Sequence, residues 1–167
     1  WKKSQLSKGG DNQSLDYLLD SLGGLSIKEL NLHKINFKEK IYLNKNLNQI
    51  ESIWDLHLSE SIPIQYLCGT VFWRDLKLEV TEKVLIPRSE TEIIVDIVLK
   101  IFGKNLRKLI FAELGTGSGA ISIALALANP LWEGIATDID QGALKVAIKN
   151  YSNYSTQSNL KFFCGNW

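Results

Sequence analysis

The stretch RKLIFAELGTGSGAISIALA, residues 107–126, decides the fold. Its apolar run Leu109 to Ala112 predicts a buried strand, glycines follow at 115, 117 and 119, and the Ala/Ile/Leu run from Ala120 starts a helix. Strand, glycine turn and helix in that order place a small-molecule site at the carboxyl end of a parallel strand. Glycine allows a tight turn and close backbone approach by a ligand. Three glycines in five residues carry an entropic cost that an idle loop has little reason to bear. Glu113, two residues ahead of the first glycine, sets this loop apart.

Toward the carboxyl end, the helix Ala120 to Ala128 stops at Asn129-Pro130, and a strand from Trp132 or Gly134 to Thr137 ends at Asp138. Asp140 can cap a helix from Gly142 to Asn150 with Leu144, Ala147 and Ile148 inward; residues 152–159 form a polar loop and Leu160 to Cys164 a third strand. This alternation is half of a doubly wound sheet. Because such a sheet has too few strands on one side, and the chain lacks methionine and stops at Trp167, sequence is expected to be missing at both ends.

Toward the amino end, Ser89 followed by Glu92 predicts a capping box, with Ile93, Ile94, Ile97, Val98 and Ile101 as the inner face of a helix to Phe102. Val84 to Ile86 is a short extended piece ended by Pro87. Alternation at Val71, Trp73, Leu76, Leu78 and Val80 predicts a hairpin turning near Arg74-Asp75. Before it, leucines at 15, 18, 19 and 22, a Ser26/Glu29 capping box, and the stripe Leu47, Ile50, Ile53, Trp54, Leu58 predict three short helices whose apolar faces pack as core. Residues 1–11 read as a frayed surface segment.

Nineteen basic and eighteen acidic residues give a formal charge of +1, so no broad field points to nucleic acid or anionic membrane. Cys68 and Cys164 are too few and too far apart for a disulfide scaffold or a thiolate metal site. The longest apolar run, near residues 120–128, is too short to span a bilayer. A cytoplasmic protein without metal follows as the expectation.

Three ligand classes use such loops. A nucleotide-triphosphate loop needs a lysine and a hydroxyl residue, whereas Gly119 is followed by Ala120 and Ile121. A dinucleotide fingerprint puts its third glycine one place later, where Ala120 stands and is sometimes accepted. Asp138 can accept from both ribose hydroxyls in either case. Glu113 discriminates: a carboxylate at the loop mouth repels a pyrophosphate and favours a ligand bearing an amino group and a sulfonium, although it can also simply order the loop.

The stretch AELGTGSGAISIALA resembles the first motif of class I S-adenosylmethionine-dependent methyltransferases, and PIQYLCGTVFWRDLKLEVTEKVLIPRSETE resembles the linker of the peptide chain release factor glutamine methyltransferase family. The resemblance covers residues 62–167. It implies an α/β chain with a partial Rossmann-like class I methyltransferase fold, an amino-terminal helical domain and a hairpin linker. The expected division is a helical substrate-recognition domain (1–60), the linker (61–88) and the first half of the cofactor-binding domain (89–167). It further implies S-adenosyl-L-methionine as cofactor, held by Glu113, Gly115, Thr116, Gly117, Ser118 and Gly119, with Asp138 on the ribose and Trp167 against the adenine. Phe72 and Arg88 match positions at the substrate entrance, and Glu92 the start of the following helix.

The implied reaction is methyl transfer to the side-chain amide nitrogen of the glutamine in a Gly-Gly-Gln segment of a release factor. No residue of the chain is expected to be catalytic, because the family's Asn-Pro-Pro-Tyr motif follows the next strand. Ser89 replaces the family's proline after Ile-Pro-Arg, and Asn166 replaces an aspartate before the tryptophan. The full-length protein is expected to be a monomer that requires neither nucleic acid nor membrane. The alternatives are a nucleic-acid amino-group methyltransferase and a non-catalytic or NAD-binding module of the same fold.

Overall fold

A computed structural model of the chain describes residues 1–33, 42–103, 108–154 and 159–166. These residues divide into two compact units, Trp1–Cys68 and Gly69–Trp167. No helix among the described residues is long and apolar enough to cross a membrane.

The first unit is helical: α1 (Lys2–Ser7), α2 (Asn12–Ser21), α3 (Ile27–His33), α4 (Leu47–Glu60) and α5 (Ile64–Cys68). The leucine and Ile50/Trp54 stripes pack as their spacing predicts, with Leu15, Leu18, Ile50 and Trp54 fully buried, except that Leu47, at the first position of α4, is exposed. Side chains start the helices, Asp11 accepting from Ser14 N at 2.9 Å and Asn46 from Gln49 N at 2.9 Å. The Ser26/Glu29 box closes both ways, at 3.2 Å and 2.8 Å. The expected frayed segment is instead helix α1, because Gln5 is buried and its carbonyl accepts from Trp54 Nε1. Lys8 adds ion pairs to Glu51 and Asp55 of α4.

The second unit opens with the hairpin β1 (Thr70–Trp73) and β2 (Leu76–Glu79), which turns at Arg74-Asp75 as expected. Arg74 takes a left-handed φ of 51°, and ties to α6 (Glu92–Phe102) offset the strain: its guanidinium bonds the Glu92 carbonyl and Asp96, and its N–H reaches Glu92 Oε1. Glu92 is thereby drawn to the hairpin, and the expected Ser89/Glu92 box does not form. A 3₁₀ turn, Ser89–Thr91, leads into the helix without a side-chain cap.

A parallel sheet follows in the order β3 (Ile110–Leu114), β4 (Glu133–Asp138), β5 (Leu160–Cys164), connected by α7 (Ala120–Ala128) and α8 (Gln141–Ser152). This is the partial Rossmann-like arrangement that the glycine stretch implies. One row across the sheet is Phe111, Gly134, Leu160, and a Cβ on Gly134 would lie 2.4 Å from the Phe111 ring and 2.6 Å from Leu160.

Three expected burial patterns in this unit differ. β3 is not buried: among the described residues it pairs only with β4, leaving Ile110 74% exposed. On α6 only Val95 is buried: Ile94 lines an apolar cleft of about 480 Å³ beside the open side of β3, and Ile93, Ile97 and Ile101 are also exposed. On α8, Leu144 and Ala147 turn inward but Ile148 does not; Asn150 and Tyr151 are buried in its place.

Candidate functional site

The loop after β3 is built by bonds from the second strand. Gly115 N and Thr116 N both donate to Thr137 O, at 2.9 and 2.8 Å, and Gly117 N donates to Asp138 Oδ2 at 2.9 Å. Asp138 Oδ1 accepts from Asp140 N at 3.0 Å, so each oxygen of this half-buried carboxylate holds one backbone N–H and keeps a lone pair for a further donor. Asp140 in turn caps α8 through Gly142 N, as its position predicts.

Glu113 closes the other side of the loop. Its Oε2 accepts from Thr116 Oγ1 at 2.7 Å, from Ser122 N at 3.1 Å and from the Ser122 hydroxyl. Burial pushes its carboxyl above the usual carboxylate range; the Ser122 and Thr116 hydrogen bonds oppose the rise, and the Asp138 charge adds to it. Thr116 and Ser118 are themselves buried. Glu113, residues 115–119 and Asp138 are thus one hydrogen-bonded group.

The glycines of this loop differ in what surrounds them. Gly119, at φ 82°, is the N-cap of α7, where a Cβ would meet Ile123 and Ala147 at 3.0 and 3.2 Å; its space is taken by packing. At Gly115 and Gly117, also at positive φ, a Cβ would meet nothing within 4 Å. Open space beside two left-handed glycines, next to a carboxylate with spare lone pairs, fits a nucleoside-bearing ligand lying along the loop.

Phe72 and Arg88 belong to a second group, on the hairpin and its exit. Phe72 is 52% exposed with Lys77 Nζ 5.5 Å from its ring centre, and the Arg88 carbonyl accepts from Trp73 Nε1 at 2.8 Å while its side chain is exposed. Trp167 lies outside the described residues. No group of three or more His, Cys, Asp or Glu among the described residues could hold a metal ion.

Two residues of the site escaped the sequence reading. Ser122 is the one polar residue in the helix AISIALALA, and that isolation was an available signal. Asn150 gave none. Its side chain is fully buried, accepting from Glu79 N at 2.6 Å and donating to Glu79 O at 3.0 Å and Ser118 O at 2.9 Å.

Against this geometry stand the likenesses to known proteins. A family model described as "Putative methyltransferase" matches residues 107–167. A release factor glutamine methyltransferase from Prochlorococcus marinus is 44% identical over 171 residues, covering all of this chain and 57% of that protein. The chain matches the release factor glutamine methyltransferase family. A second such methyltransferase, from Gloeobacter violaceus, is 33% identical and covers all of this chain and 58% of its own length. A third, from Coxiella burnetii, is 40% identical over 128 residues, 77% of this chain and 46% of that protein. The chain spans about half the length of the curated relatives it matches. The likeness to the first two includes the helical first unit as well as the glycine loop.

Proposed function

We propose that the glycine loop seats S-adenosyl-L-methionine, and that the protein methylates the side-chain amide nitrogen of the glutamine in the Gly-Gly-Gln segment of peptide chain release factors. The observation that carries this reading is the bonded group of Glu113, Gly115 to Gly119 and Asp138, with open space at Gly115 and Gly117. It stands in a chain similar throughout to release factor glutamine methyltransferases.

Residue roles follow from chemistry. The spare lone pairs of Asp138 accept from the two ribose hydroxyls. Backbone at Gly115 and Gly117 passes the methionyl part, supported from below by Thr116 and Ser118. Glu113 orders the loop through Oε2 and supplies negative potential toward an amino group and a sulfonium. Trp167 stacks on the adenine, Phe72 and Arg88 line the acceptor entrance, and the helical unit recognises the release factor. When bound, the donor supplies a sulfonium methyl: the amide nitrogen attacks it in line, the sulfur keeps the C–S pair, and an N–H proton leaves as S-adenosylhomocysteine forms. An amide nitrogen is a weak nucleophile and needs acceptors for its N–H groups; no residue of this chain is assigned that task. The protein acts in the cytoplasm as a monomer, without metal, membrane or nucleic acid.

Isothermal titration tests the reading. Micromolar S-adenosylhomocysteine binding without NAD binding is the expected result; binding of NAD alone would overturn it in favour of a dinucleotide module.

A further inference from the structure

Helix α8 does for the hairpin what a neighbouring strand would do. Along the edge of β2 that faces away from β1, Lys77 and Glu79 present their backbone groups, and two side chains one helical turn apart meet them. The Tyr154 hydroxyl, just beyond the helix, accepts from Lys77 N and donates to Lys77 O at 2.9 Å. Asn150 answers Glu79 in the same two-way manner. Lys149 adds an ion pair to the Glu79 carboxylate at 2.7 Å.

Asn150 differs from Tyr154 in having a third bond, from Nδ2 to Ser118 O inside the glycine loop. Both of its amide hydrogens are therefore used, one on the hairpin and one on the loop, by a side chain with no exposure to water. A buried amide in this position cannot shift toward one partner without weakening its bond to the other.

We infer that Asn150 is a positioning residue that couples the hairpin carrying Phe72 to the glycine loop, so that donor binding at the loop and the setting of the hairpin favour one another. The inference rests on the proposal that the loop binds the methyl donor. Coupling of this kind is reciprocal: whatever stabilises β2 against Asn150 tightens the loop, and a ligand that orders Ser118 holds β2.

Two measurements on the 167-residue chain test it. In the first, hydrogen exchange of the unaltered chain is followed with and without saturating S-adenosylhomocysteine. Slowed exchange at Lys77 and Glu79, as well as at 115–119, is expected; slowing confined to the loop overturns the coupling. In the second, Asn150→Asp replaces a double donor with a carboxylate of the same shape that faces two carbonyl oxygens. Affinity for S-adenosylhomocysteine relative to the unaltered chain should fall about tenfold at pH 8. It should recover as pH falls toward 5.5, where the protonated carboxyl donates one bond again. Tyr154→Phe, which loses only hairpin bonds, serves as the control for general loosening. An equal affinity loss in both variants, or an Asn150→Asp loss independent of pH, overturns the inference. Failure of the unaltered chain to bind S-adenosylhomocysteine is a different result, since it removes the donor-site reading on which the inference rests.

Discussion

In the helical unit, Leu15, Leu18, Ile50, Trp54 and Ile64 form one apolar core, whereas at the carboxyl edge of the parallel sheet Glu113, Asp138 and Asn150 hold the chain by bonds to backbone groups. The first kind of order is non-directional and follows apolar area. The second depends on donors, acceptors and angles, and so fixes the path of a loop that has little apolar side chain to pack. A helical unit held by apolar packing tolerates the first. A loop with open space beside Gly115 and Gly117 depends on the second.

The contrast breaks most visibly at Trp54. Trp54→Ala removes a fully buried ring and its bond to Gln5 O, and should cost about 3 to 5 kcal/mol of the helical unit's stability in denaturant unfolding. Titration with S-adenosylhomocysteine should then give unchanged affinity; a loss of binding would show that the two regions are not separately held. Asp138→Ala reverses the pattern. It should weaken S-adenosylhomocysteine binding by about 2 to 3 kcal/mol, as expected for lost charged hydrogen bonds. An unchanged titration would show that the ribose is held elsewhere.

Ser26→Ala opens the reciprocal cap of α3 and should cost about 1 kcal/mol by the same unfolding measurement, with no effect on binding. Glu113→Gln should have the smallest net effect on stability, because an amide oxygen can still accept from Ser122. Its signature is pH dependence. Burial raises the Glu113 pKa in the folded chain above its ordinary value of 4.5, so the folded state binds more protons than the unfolded one between those values. The associated stability is complete below the unfolded value and is lost as pH rises through the folded one. The Tm of the Gln variant relative to the unaltered chain should therefore be higher at pH 8 than at pH 4. The same substitution should weaken binding of the cationic S-adenosylmethionine more than that of neutral S-adenosylhomocysteine. Equal losses would leave Glu113 only its loop-ordering role.

The same contrast separates what could be read in the sequence from what could not. Apolar periodicity exposed the core of α2 and α4, and short-range polar spacing exposed the Ser26/Glu29 box and the Asp140 cap, because cause and effect lie within one helical turn. The glycine stretch was legible because a left-handed φ restricts residue type. Asn150 was not, since it meets Glu79 across 71 positions and nothing in a helix-end asparagine marks that distance. The Ser89/Glu92 box failed for the same reason: a tertiary partner, Arg74, claimed Glu92. The isoleucines of α6 have the spacing of an inner face, but burial also requires a neighbour: Ile93, Ile97 and Ile101 are exposed among the described residues, and Ile94 faces the open side of β3.

Gly134 has a consequence for folding fidelity. The row Phe111, Gly134, Leu160 places two large side chains against a residue that has none. The smallest slip of β4 that keeps its faces in place is two residues, which would bring Trp132 or Ala136 into that gap. Such a slip would also carry Asp138 about 7 Å along the sheet, well beyond its 2.9 Å bond to Gly117. The empty position in the middle strand therefore proofreads the register, and with it the alignment of carboxylate and loop on which the proposed ligand site depends.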